Sequence, residues 1–195
     1  MTGFKRVCVY CGSNPGKGVE YAEAAQALGR ALAVRRIEVV YGGGRRGLMG
    51  ALADSALAAG GHVVGVMPQA LVDMEIAHRG LTEMHIVGSM HERKALMTSL
   101  SDAFIILPGG WGTLDELCEA LTWAQLNIHH KPCVLWNVGG YYDSFLAFLA
   151  HAVEEGFLKL RDHQRLLVGG TVEELLAAIA GFVPDDDAIP AKLLD

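Results

Sequence analysis

The sequence predicts an α/β fold, a doubly wound parallel sheet with helices on both faces, and three observations predict it. Strand-like runs alternate with helix-like runs from one end of the chain to the other, the pattern of crossover-connected parallel strands. The runs VCVY, VVY, FIIL and CVLW lack polar alternation, as strands covered on both faces do. Several strands also end in glycine-rich turns, CGSNPGKG, YGGGRRGLMG and LPGGWGT, at the end of an open α/β sheet where ligands bind.

The elements follow in order. RVCVYCGS (6–13), β-branched and apolar, is followed by the alanine- and leucine-rich helix YAEAAQALGRALAVRR (21–36). IEVVYGGG (37–44) leads into GLMGALADSALAAG (47–60), and HVVGVMP (62–68) into a loop-rich stretch. TEMHIVG (82–88) precedes SMHERKALMTSLS, and DAFIILPGG (102–110) precedes TLDELCEALTWAQLN. KPCVLWNVGG (131–140) precedes YYDSFLAFLAHAVEEG, and TVEELLAAIAGF closes the ordered part. No linker or composition break divides the chain, so residues 1–183 are expected to form one domain and 184–195 a loose tail.

At 195 residues, 51% of them hydrophobic, the chain can build a sizeable core without staples. Its net charge of −6 and pI near 5.7 lack the basic stripe of a nucleic-acid binder; a locally positive pocket for a small anion remains compatible. No stretch reaches the roughly 18 apolar residues of a membrane span. The start, MTGFKRVCVY, runs straight into a strand without a signal-peptide layout, so the expected compartment is the cytoplasm. Cys8 and Cys11 form a C-x-x-C with no second pair. In an extended segment residues three apart diverge, so both are expected to be buried core thiols. No His/Cys/carboxylate cluster has metal spacing, and neither a metal nor a cofactor is expected.

Taken singly, two of the glycine loops carry little. Gly42-x-Gly44-x-x-Gly47 matches a dinucleotide fingerprint, but the next strand ends in Met67 and Pro68 rather than in a ribose-holding acid. CGSNPGKG lacks the spacing of a triphosphate loop and the Ser or Thr after Lys17. PGGWGTLDE carries more. Gly109 and Gly110 free the backbone to turn N–H groups toward a ligand, and the following helix adds the positive end of its dipole. The structural alternative is that Thr113 and Glu116, spaced T-x-x-E, form a capping box; a cap, however, does not require Gly109, Gly110 and Gly112.

In SMHERK, Ser89 and Glu92 again have capping-box spacing, which leaves Arg93 and Lys94 adjacent early in a helix. Cations are disfavoured there, so the pair suggests an anion to meet, against the alternative of an ordinary solvated pair. His129 and His130 lie in a polar turn and are expected to be solvated. Trp123 shares the helix face of Glu116, with core packing as its default role.

SMHERK, the run SDAFIILPGGWGTLDELCEALTWAQLNIHHKP and the segments CGSNPG, YGGGRRGLMG and GYYD together closely resemble the Lonely Guy family. These are cytokinin riboside 5′-monophosphate phosphoribohydrolases, formerly labelled lysine decarboxylases. The resemblance covers nearly the whole chain and centres on PGGxGTxxE at residues 108–116 with an upstream Arg-Lys pair. It implies a Rossmann-like fold, a homodimer, and hydrolysis of the bond between an adenine-type base and ribose 5-phosphate. By matched position it implies Arg93 and Glu116 as the catalytic pair. Substrate contacts implied with them are Ser13, Gly43, Gly44, Glu75, Met90, Lys94, Gly109, Gly110, Trp111, Gly112, Thr113, Leu114, Asp115 and Thr122. Asp115 stands where many relatives have Glu. The expected partner is thus a nucleoside 5′-monophosphate, with no nucleic acid and no membrane.

A carboxylate such as Glu116 can stabilise the oxocarbenium character of the ribose while it handles water. Arg93 is no general acid, because a guanidinium does not deprotonate, so it is assigned to positioning phosphate or ribose. Two competing readings stay open. A pyridoxal-phosphate decarboxylase would need Lys94 as its Schiff base. A non-catalytic nucleotide-monophosphate carrier would need no carboxylate at Glu116. The sequence leaves the base open between isopentenyladenine and plain adenine.

Overall fold

The parallel sheet forms around five inner strands that are almost entirely buried on both faces. The computed structural model describes residues 3–74 and 76–184. Strands β1 (Arg6–Tyr10), β2 (Glu38–Tyr41), β3 (Val63–Pro68), β4 (Glu83–Val87), β5 (Ala103–Ile106), β6 (Cys133–Trp136) and β7 (Leu166–Gly169) make one sheet. Its order is β4-β3-β2-β1-β5-β6-β7, and every pairing is parallel. Helices α1 (Val19–Val34), α2 (Gly47–Ala58), α3 (Gln69–Asp73), α4 (Met90–Leu100), α5 (Trp111–Gln125), α6 (Asp143–Glu154), α7 (Leu160–His163) and α8 (Val172–Ala180) connect them.

Side-chain alternation along each strand divides the core into two layers. Val7 and Val9 of β1 pack with α1, α2 and α8 through Leu28, Leu32, Leu52 and Leu175. Cys8 and Tyr10 face the other way, toward Met97 of α4 and Leu117 of α5. The two thiols of the C-x-x-C therefore belong to opposite layers, Cys11 with the first and Cys8 with the second, and both are buried and free.

The chain winds outward from β1 to β4, returns beside β1 as β5, and winds the other way to β7. The switch point lies between β1 and β5, where the loops leaving the two strands diverge and open a crevice. Gly12 N–H donates to the Pro108 carbonyl across it at 3.0 Å.

Three departures from the sequence reading have local causes. Strand β7 was not expected; LLVG is four residues long and carries no usable period, and it forms an edge with Leu166 buried and Val168 exposed. The 131–140 run yields only four strand residues, because Val138–Gly140 turn into a 3₁₀ segment. His129 is buried, not solvated: its ring packs on Phe104 at 5.3 Å, and burial pushes its pKa down to about 4. The expected tail at 184–195 lies, from residue 185 on, outside the described residues.

Candidate active site

The loop after β5 starts its helix earlier than T-x-x-E spacing suggests. Helix α5 begins at Trp111 with Gly110 as N-cap and no side-chain cap. Thr113 therefore lies inside the first turn and Glu116 nearly a turn further on, so they do not form a capping box. The cause is Gly109: a Cβ there would stand 2.1 Å from Thr113 Oγ1 and 3.0 Å from Gly12 N, so only glycine lets the turn close this tightly. Ser89, by contrast, does cap α4. Its Oγ accepts from Glu92 N–H at 3.1 Å, and Glu92 Oε2 reaches back to Gly88 N–H at 2.7 Å.

This cap sets the direction of Arg93, one turn into α4. Its Nε donates to the Val66 carbonyl at 3.1 Å, and its Nη1 lies 3.0 Å from Glu116 Oε1. Met90 Sδ is 3.9 Å from Nη1. Gly42 completes the socket, since a Cβ there would fall 2.0 Å from Arg93 Nη2. The anion that Arg93 meets is thus a buried carboxylate of its own chain. Burial raises the Glu116 pKa to about 7, although Arg93 pulls it the other way. A carboxyl group poised near neutrality inside a crevice is suited to acid–base work.

Lys94 meets different anions. Its Nζ lies 3.1 Å from Asp115 Oδ2 and 3.0 Å from Glu119 Oε1, which ties α4 to α5. Burial lowers its pKa, but the bonds from Glu119 and Asp115 outweigh this and the net shift is upward. An ammonium held in its charged form is a poor Schiff-base nucleophile, which counts against the decarboxylase reading.

One cavity of about 620 Å³ collects most of the expected residues: Ser13, Gly44, Arg93, Gly109, Gly110, Trp111, Gly112, Thr113 and Glu116. Gly43, Met90, Lys94, Leu114, Asp115 and Thr122 lie outside its lining. Thr122 Oγ1 instead donates to the Cys118 carbonyl of its own helix at 2.7 Å. Glu75 lies outside the described residues. The cavity also takes residues that the sequence reading did not name as substrate contacts. Met49, Met67, Leu71 and Ile76 form an apolar wall, and Asn14, Tyr21 and Tyr141 edge the loops after β1 and β6. Only GYYD, quoted as part of the resemblance, gave a signal for Tyr141. Among the described residues no group of three or more His, Cys, Asp or Glu side chains could hold a metal ion.

Fold and crevice together define a doubly wound, Rossmann-type α/β protein whose ligand cleft opens at the switch point of its sheet. Residues 49–179 match the family model described as possible lysine decarboxylase. The probable cytokinin riboside 5′-monophosphate phosphoribohydrolase LOGL5 of Oryza sativa subsp. japonica is 51% identical over 191 residues, covering 97% of this chain and 78% of that protein. The cytokinin riboside 5′-monophosphate phosphoribohydrolase of Rhodococcoides fascians is 50% identical over 176 residues, covering 90% of this chain and 89% of that protein. Among solved structures, a molybdenum cofactor binding protein from Rippkaea orientalis superposes with a TM-score of 0.68 at 20% identity, over 90% of this chain and 94% of that one, a likeness of fold alone. The chain belongs to the cytokinin riboside 5′-monophosphate phosphoribohydrolase family.

Proposed function

We propose that this protein is an N-glycosyl hydrolase that cleaves cytokinin riboside 5′-monophosphates, and AMP as well, into free base and ribose 5-phosphate. The observation that carries the mechanism is the buried Arg93–Glu116 pair beside the glycine loop that opens α5. The N–H groups of Gly110, Trp111 and Gly112, which meet no acceptor among the described residues, suit the 5′-phosphate with the helix dipole behind them. As the C1′–N9 bond breaks, its electrons leave with the base and positive charge develops on the ribose. Ionised Glu116 stabilises that charge and accepts a proton from the water whose oxygen adds to C1′. Release of that proton to solvent restores the carboxylate, and uptake of one proton from solvent neutralises the departing base, so one water is divided between ribose 5-phosphate and base. Arg93, fixed by Val66 and Gly42, holds Glu116 in place and presents its remaining N–H groups to the ribose phosphate. The apolar wall of Met49, Met67, Leu71 and Ile76 suits a prenyl substituent on the base.

A cytoplasmic homodimer is part of the same reading. Met90, Leu126, Ile128 and Phe148 are large apolar side chains left exposed on or beside α4, α5 and α6, as an interface would require. Among the described residues no helix is long and apolar enough to cross a membrane. Light scattering at micromolar concentration should give twice the chain mass, and a monomer alone would remove the dimer.

The deciding experiment incubates the protein with AMP and with isopentenyladenosine monophosphate and follows free base. Both should release it. The matching nucleosides should barely react, because binding energy from the remote phosphate positions the reacting sugar. Tight monophosphate binding with no base released would return the carrier reading, and equal rates for adenosine and AMP would remove the phosphate cradle.

A further inference from the structure

GYYD has no part in the chemistry above, yet the turn that contains it closes over the glycine loop. After β6, Gly139 and Gly140 both take positive φ, 57° and 74°, and the chain doubles back. Asn137 holds the turn: its Oδ1 accepts from Tyr142 N–H at 2.8 Å, and its Nδ2 donates to Asp143 Oδ1 at 2.6 Å. Two adjacent tyrosines then reach two carbonyls of the β5–α5 loop. Tyr142 Oη donates to the Leu107 carbonyl at 2.8 Å, and Tyr141 Oη donates to the Gly109 carbonyl at 2.6 Å. Tyr142 is buried in the core, whereas Tyr141 edges the cavity and is 45% exposed. The Tyr141 ring is set by edge contacts with Tyr21 at 5.8 Å and Tyr142 at 4.8 Å.

A trans peptide points its carbonyl and the following N–H in opposite directions. The Gly109 carbonyl held by Tyr141 therefore determines where the Gly110 N–H points. Among the described residues no hydrogen bond occupies the N–H groups of Gly110, Trp111 and Gly112, the first donors at the start of α5. The Gly109 end of this peptide is packed against Thr113 and Gly12, whereas at the Gly110 end a Cβ would meet no atom within 4 Å, so there the peptide's orientation rests on hydrogen bonds rather than on packing.

We propose that Tyr141 is a positioning residue that aims the Gly110 N–H at the phosphate of the substrate by holding the Gly109 carbonyl, while Tyr142 serves the fold. This rests on the reading of the crevice as a nucleoside-monophosphate site. Tyr141 touches the loop and not the reacting atoms, so its loss should act on affinity for the phosphate and leave the chemical step nearly intact.

The test compares Tyr141→Phe and Tyr142→Phe in the full chain, with ribose 5-phosphate and adenine as separate calorimetric probes. For Tyr141→Phe, ribose 5-phosphate affinity and the KM for the monophosphate should each worsen about tenfold, the value of one lost hydrogen bond to an oriented donor, with kcat within about threefold. Its adenine affinity and melting temperature should match the wild type. Tyr142→Phe should melt several degrees lower and bind ribose 5-phosphate normally. Unchanged ribose 5-phosphate affinity in Tyr141→Phe beside a working wild type overturns the assignment alone, as does a loss confined to adenine. A wild type that neither binds ribose 5-phosphate nor releases base overturns the nucleotide reading and this assignment with it.

Discussion

Arg93 and Lys94 are neighbours on one helix, both buried, both paired with acids of α5, and yet they belong to different parts of the molecule. Successive helix positions are about 100° apart, so Arg93 turns into the crevice and Lys94 into the α4–α5 seam. Their acids differ more than the cations do. The Glu116 side chain is 8% exposed, whereas those of Asp115 and Glu119 are 60% and 24% exposed. Water therefore screens the lysine pairs and leaves the arginine pair in a medium that penalises charge. In the dry pair burial pushes the carboxyl group of Glu116 up to about pH 7. Proximity in sequence does not make the two ion pairs alike; desolvation of the acid sets one apart.

The largest effect should come from breaking the dry pair. Glu116→Gln keeps shape and removes charge, so base release should fall by roughly 100- to 10,000-fold, the range for a positioned acid–base group, while the monophosphate still binds. Arg93→Ala should lose comparable activity, and Arg93→Lys should not restore it fully, because a compact ammonium lacks the planar fork whose Nε meets Val66 while Nη1 meets Glu116. Near-normal turnover in Glu116→Gln would place the chemistry elsewhere.

The same pair should give a pH signature. The folded pKa of Glu116, about 7, lies above its ordinary value of 4.5, so the folded state binds this proton more tightly than the unfolded chain. The associated stability is present below pH 4.5 and is lost as pH rises through 7. Relative to Glu116→Gln, which does not titrate there, the wild type should lose about 3 kcal/mol across that window, from the 1.36 kcal/mol carried by each pKa unit. Activity should run the opposite way: kcat/KM should rise with an apparent pKa near 7 as the working carboxylate forms. Chemical unfolding of both proteins at pH 5 and pH 8 checks the first; a pH–rate profile checks the second. A stability difference that does not vary with pH would mean that Glu116 is ionised throughout.

Gly42→Ala perturbs the socket without removing either member of the pair. The new methyl would fall on Arg93 Nη2 and 3.3 Å from Met49 Sδ, and both are ends of flexible side chains that can yield. The fold should survive, and turnover should drop about 10- to 100-fold, as expected of a catalytic group displaced by an ångström. Unchanged turnover at unchanged stability would show that the position of Nη2 does not matter to the reaction.

Much of this was legible in the sequence, for reasons visible in particular residues. The strand runs around Val7, Val39 and Ile105 are buried on both faces and carry no period but apolarity, which is itself the signature of a covered parallel sheet. The glycine turns were legible because close approach excludes any other residue, as at Gly42 and Gly109. What sequence reasoning misjudged depends on three-dimensional neighbours. T-x-x-E spacing at Thr113 and Glu116 is identical to a cap, and only the turn at Gly109 moves the helix start to Trp111. His129 looks polar in sequence because Phe104, which covers it, is 25 positions away. Tyr141 reaches Gly109 across 32 positions, a distance that no local motif reports.

The smallest effect, and the sharpest on the comparison, is expected from Lys94. Family resemblance makes it a substrate contact, whereas here its ammonium is held by Asp115 and Glu119 outside the cavity lining. Lys94→Met keeps the apolar stem that packs between the helices and removes the charge. The acids left behind are partly exposed, so water can solvate them, and the loss of stability should stay below about 2 kcal/mol. Turnover should remain within about threefold of wild type, since Met adds no group and removes none from the crevice. A drop of a hundredfold or more with an unchanged melting temperature would put Lys94 on the substrate and make the two cations one functional unit. A parallel loss of stability and activity would instead mean that the α4–α5 seam positions Glu116, so that the wet pair supports the dry one.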